Sequence, residues 1–117
     1  MNKQGIHTLL TKYTSVKVHA DFIPEKAKLP AIVFNHISNI RNRILSGKTN
    51  GITDTWRISI VCRTNEESDR ITKEVENLDN SSSQDFKNVL VITTNNEPVD
   101  PKTKLIRTFI DLKTIER

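Results

Sequence analysis

Cysteine occurs once, at Cys62, so the chain can close no internal disulfide and offers no cysteine-rich metal site. Aromatic residues make up only 5% of the sequence, which leaves the core to Ile, Val and Leu. Long apolar runs are missing as well. Ala31–Phe34 and Val89–Ile92 stop after four residues, far below the roughly 20 that a membrane-spanning helix needs. No membrane partner is expected. The opening Met1-Asn2-Lys3-Gln4-Gly5 leads into mixed polar residues without the apolar stretch of a secretion signal. With the single thiol, this predicts synthesis in a reducing cytoplasm.

What is present suits one globular domain covering residues 1–117, with 35% hydrophobic and 27% charged residues. The net charge of +4 hints at an anionic partner. Basic and acidic residues interleave along most of the chain, however, whereas nucleic-acid readers cluster their cations.

Periodicity gives the elements. Ile6, Leu9, Leu10 and Tyr13 fall on one face of a helix over residues 3–13, with Gly5 weakening its first turn. Ser15 to Ile23 alternates and predicts a strand that Pro24 ends, and Glu25 to Pro30 reads as an irregular connection. Ala31 to Ser38 is a second strand, placing Ile32, Phe34 and His36 on one face and Val33, Asn35 and Ile37 on the other. Trp56, Ile58, Ile60 and Cys62 alternate with Arg57, Ser59 and Arg63, the clearest strand of all. The helix from Thr64 to Leu78 opens on Thr64 with Glu67 three residues on, a capping box expected to satisfy two backbone donors. Glu66–Arg70 and Asp69–Lys73 fall at i, i+4 on its outer side. Phe86 to Thr94 and Leu105 to Thr114 are the last strands, separated by proline-rich turn chemistry at residues 95–101. The expected fold is α+β: a mostly antiparallel sheet of four to five strands, two helices packed on one face, and a long β-arm, about 39–54, between the second and third strands.

Ser46-Gly47-Lys48-Thr49-Asn50-Gly51 ends like a phosphate-binding loop. The earlier glycine such a loop requires is Asn42 here, and no helix follows to face an anion. Asn50-Gly51 reads instead as a turn signal. Other chemistry is equally thin. His7, His19 and His36 belong to different elements and have no spacing that would gather metal ligands. His36 reads as a strand-end histidine near the surface, and Cys62 as a small buried hydrophobe. No acidic pair sits in an apolar setting that would raise a carboxylate pKa. Asn80-Ser81-Ser82 matches a glycosylation sequon, which carries no weight without secretion. Nothing points to an enzyme, a metal or a cofactor.

The arm is the feature with a functional reading. Arg41, Arg43, Leu45 and Lys48 in it, and Arg57 and Arg63 on the neighbouring strand, are candidate contacts to another subunit or to material in a lumen. A solvated hairpin is the competing reading. Aromatics for stacking bases are absent from the arm.

Leu29-Pro30-Ala31-Ile32-Val33-Phe34, His36-Ile37-Ser38-Asn39, Leu45-Ser46-Gly47, Trp56-Arg57-Ile58-Ser59-Ile60, the capped helix from Thr64 to Leu78, Asp100-Pro101-Lys102-Thr103 and Leu105-Ile106-Arg107 follow one another along most of the chain. In that order the pattern resembles the tail-terminator, or tail-completion, proteins of long-tailed bacteriophages. The resemblance implies a homo-oligomeric ring, typically a hexamer, on the head-proximal end of the tail tube in the virion, assembled in the host cytoplasm. Its implied partners are the tail tube protein and a head-completion or connector protein. Genomic DNA would pass through the lumen without sequence-specific binding. The particularly basic arm departs from the family's pattern, so lumen contacts do not carry over. A small nucleic-acid-binding module using Arg41, Arg43, Lys48 and Arg57 is the alternative. Another neck or head-completion protein would obey the same physics.

Overall fold

A computed structural model describes residues 2–24, 26–43, 49–99 and 101–116, with side chains described outside 40–51. Seven elements follow in order: α1 (Lys3–Tyr13), β1 (Lys17–Ala20), β2 (Ala31–Arg43), β3 (Thr49–Cys62), α2 (Asn65–Glu76), β4 (Phe86–Asn96) and β5 (Ile106–Glu116). The five strands form one sheet in the order β1-β2-β3-β5-β4. Only β1 and β2 run parallel, and the other three pairings are antiparallel. Both helices pack on one face, so the fold is the α+β arrangement that periodicity predicts.

Strand alternation decides what is buried. Ile32, Phe34, Trp56, Ile58, Ile60, Cys62, Ile110 and Leu112 point to the helix face and lose all but 1% or less of their exposure. Ile6, Leu9 and Leu10 of α1 and Ile71, Val75 and Leu78 of α2 cover them. Trp56 shows how a large aromatic is accommodated: its indole N–H donates to Thr114 Oγ1 at 2.9 Å inside the core. The opposite face carries Arg57, Ser59, Phe109 and Asp111 and has no helix over it.

The elements differ from expectation at their ends. The first strand is shorter than the Ser15–Ile23 alternation, because Asp21 takes a left-handed conformation (φ 68°) and turns the chain away after Ala20. A connection that includes a cis Leu29–Pro30 bond leads on to β2. β2 continues five residues beyond Ser38, to Arg43, and β3 begins at Thr49. The expected arm is therefore a β-ladder, with Asn39 opposite Asp54, Ile40 opposite Thr53 and Arg41 opposite Ile52. Asn50-Gly51 lies within β3 beside a register shift, not in a turn, and the reversal of the chain falls outside the described residues. The molecule is elongated as a result, 55 Å long against 23 Å in each cross direction. Its radius of gyration of 15.2 Å exceeds the roughly 13.4 Å expected of a compact chain this long.

Both helices start on a side-chain cap. Asn2 Oδ1 accepts from the Gly5 N–H at 2.8 Å, and a Cβ at Gly5 would lie 2.8 Å from Asn2 Nδ2. Glycine there gives the cap room, although it weakens the turn. At α2, Thr64 Oγ1 accepts from the Glu67 N–H at 3.2 Å, but the Glu67 carboxylate accepts from the Thr64 hydroxyl at 3.1 Å. Only one backbone donor is satisfied, half of the expected reciprocal box. Neither Glu66–Arg70 nor Asp69–Lys73 closes into an ion pair among the described residues. Both pairs are exposed, where water screens the attraction and holding the side chains costs entropy. Replacing Thr64 by Ala is expected to lower stability by about 1 kcal/mol. Urea unfolding checks this, and an unchanged midpoint would contradict the cap's role.

Candidate assembly surface

The structure gathers a polar cluster where the hairpin leaves the packed body. Asp54 is fully buried, and its Oδ1 accepts from His36 Nε2 at 2.7 Å and from Asn39 Nδ2 at 2.8 Å. His36 lies edge-on to Trp56 with ring centroids 5.0 Å apart, and Trp56 meets Phe34 in the same way at 6.0 Å. The polar knot thus sits on the end of the hydrophobic core.

A β-bulge makes the knot possible. The pairing shifts between His36, opposite Trp56, and Ser38, opposite Thr55. One extra residue in β2 changes the phase of its alternation. His36 before the bulge and Asn39 after it therefore both reach the face where Asp54 points. The extra residue leaves Ile37 outside, 49% exposed. His36 is thus not at a strand end. It lies in the middle of β2, one-fifth exposed and bonded to a buried carboxylate. Asp54 went unrecognised because it belongs, in sequence, to a polar stretch with no hydrophobic pattern.

Of the six contact candidates, only Arg57 and Arg63 have described side chains, and these lie apart. Arg41 and Arg43 lie on β2 in the hairpin, their side chains outside the described residues, as are Leu45 and Lys48 altogether. Arg57 is on the uncovered sheet face and is engaged there. Its Nε and Nη2 donate to the two carboxylate oxygens of Asp111 at 3.0 and 3.3 Å, and its guanidinium lies 5.7 Å from the Phe109 ring centre. The Asp111 hydrogen bond and charge hold the guanidinium pKa above its ordinary value. Arg63 is at the other end of β3, in the wall of a cleft of about 280 Å³ shared with Ile23, Leu29, Leu105 and Arg107.

Cys62 is fully buried, and its thiol is pushed up to about 11, first by burial and then by the charge of Glu67. It is therefore protonated at neutral pH and is no nucleophile. Among the described residues no three His, Cys, Asp or Glu side chains converge as metal ligands, and no helix is long and apolar enough to cross a membrane. The phosphate-loop reading also fails on context, since β3 rather than a helix follows residue 48.

Truncating Asp54 to Ala leaves two donors at the hairpin's foot without their acceptor, a loss expected to be about 1–3 kcal/mol. The Asp54→Ala, His36→Ala double variant should cost clearly less than the sum of the single ones, because both report on one contact. Additive losses in urea unfolding would contradict the knot.

No protein-family model matches the chain, and no curated protein matches it. Among solved structures, the chain is similar in fold to one in the structure described as "Virion of native gene transfer agent (GTA) particle". The likeness covers 100% of this chain and 89% of that one, with a TM-score of 0.60 at 10% identity.

Proposed function

We propose that this chain is a structural subunit of a phage-like virion, a tail terminator that closes into a ring on the head-proximal end of the tail tube. In this role it stops tube polymerisation and offers a surface for head joining, without catalysis. The observation that carries the reading is the fold likeness, over the whole of this chain, to a chain of a gene transfer agent virion. The ordered resemblance to tail terminators supplies the finer assignment.

The geometry suits a ring subunit. Identical subunits close a ring through heterologous contacts, one surface meeting a different surface on the next copy. A hairpin extending from a body 23 Å across can reach a neighbour. The knot at Asp54 keeps its foot in place while the rest of the hairpin engages. Edge strands that are a liability in a lone subunit are covered in such an assembly. Arg41, Arg43 and Lys48 are the proposed contacts of the hairpin, with six subunits the expected number.

Light scattering after size exclusion, with negative-stain imaging of mixtures with tail tubes, tests the assignment. Closed rings capping tube ends are expected, with assembly weakened when Arg41, Arg43 and Lys48 are replaced by Ala. A particle that stays monomeric at high concentration and ignores tubes would overturn it. Loss of DNA binding with assembly intact in the triple variant would favour a nucleic-acid-binding module instead.

A further inference from the structure

At the end of the sheet away from the hairpin, five cations line two adjoining clefts. Lys17, Lys26 and Lys28 line a cleft of about 500 Å³ with His19, Pro24 and Ala27. Arg63 and Arg107 line the adjoining one, which shares Pro24 and Ala27. None of the five makes an ion pair among the described residues. His19 Nε2 is buried in the first cleft with no hydrogen-bond partner. Either tautomer leaves that nitrogen with an unmade bond, and in the Nε2–H form an incoming carboxylate would complete it.

The register shows what lies opposite. Lys17 pairs with Ala31, Ala31 with Val61, and Val61 with Arg107. The Glu97 N–H then donates to the Arg107 carbonyl at 3.0 Å. One row therefore crosses the whole sheet, from the basic cleft beside β1 to the start of the β4–β5 connection. Glu97-Pro98-Val99 in that connection is exposed, with Val99 at 51% one of the few large apolar side chains left in water. The connection's own cations come later, Lys102 within the turn at 101–103 and Lys104 beyond it.

The geometry points to a head-to-tail contact between copies of this chain, in which Glu97-Pro98-Val99 of one subunit enters the Lys17–His19–Lys26–Lys28 cleft of the next. It rests on the ring reading above and supplies a second subunit contact, separate from the hairpin. Because donor loop and receiving cleft lie on one row at opposite edges, a displacement of about five strand spacings, roughly 24 Å, one more than the sheet's own width, brings them together at the same height. That relation propagates around a ring, as heterologous contacts require. The Glu97 carboxylate meets the lysines and His19 Nε2, and Val99 covers Pro24 and Ala27. The apolar floor favours this occupant over a DNA backbone, whose phosphates would need the cations and leave the floor unfilled.

Charge exchange tests the contact. Lys26→Glu with Lys28→Glu should raise the concentration for half-assembly at least about tenfold, and adding Glu97→Lys should recover most of it, the signature of a direct pair. As a direct readout, an Ala27→Cys, Val99→Cys variant should give a ladder of disulfide-linked subunits on oxidation. Each single variant should give none, Cys62 being buried. Wild-type rings with no ladder and no effect of charge reversal would overturn the contact and leave the ring reading standing. Loss of duplex DNA binding with unchanged assembly would also overturn it. A wild type that stays monomeric would overturn both.

Discussion

A carboxylate without water must be given its hydrogen bonds by the protein, and Asp54 is in that position at the foot of the hairpin. Its donors, His36 and Asn39, are both on β2, and the bulge at residue 37 lets both reach it. The acceptor on β3 and its donors on β2 therefore fix the register of the two long strands where the helices stop covering them. A slip of one residue would turn the hairpin over and leave a buried charge unpaired. The register of the hairpin at its foot follows from that requirement.

The two ends of the sheet solve different problems. At the hairpin end, a polar knot closes the core and the strands continue alone. At the other end, the connection between β1 and β2 lies against clefts with basic walls and apolar floors. Between them the uncovered face is tied by Arg57 and Asp111, which satisfy each other, so Arg57 is less available to a partner than its exposure suggests. Available charge is thus concentrated away from the middle of the sheet. A ring subunit that touches its neighbours in two places would have this distribution.

Periodicity carried most of the fold. The Trp56–Cys62 alternation, the Ile71–Val75–Leu78 stripe and the α1 face are strong patterns, and the structure buries those residues. The continuation of β2 and β3 was legible as an extended arm, though not its ladder, because neither strand is patterned for burial there. Asn50-Gly51 misled, being a common turn pair held here within a strand. The knot was invisible in sequence, since it depends on one extra residue that brings His36 and Asn39 to the same face. The basic cleft was equally hidden. Its lysines are separated in sequence and are gathered only when the connection folds back beside β1.

On the proposed ring reading, the hairpin is anchored at its foot and takes up a neighbour along its length. Amide hydrogen exchange measures this directly, comparing isolated subunits with assembled rings. Amides beside the knot, from Thr53 to Trp56, should be protected in both states. Those of Ile40–Arg43 and Thr49–Ile52 should gain protection on assembly. Equal exchange of these outer amides in subunit and ring would contradict the account.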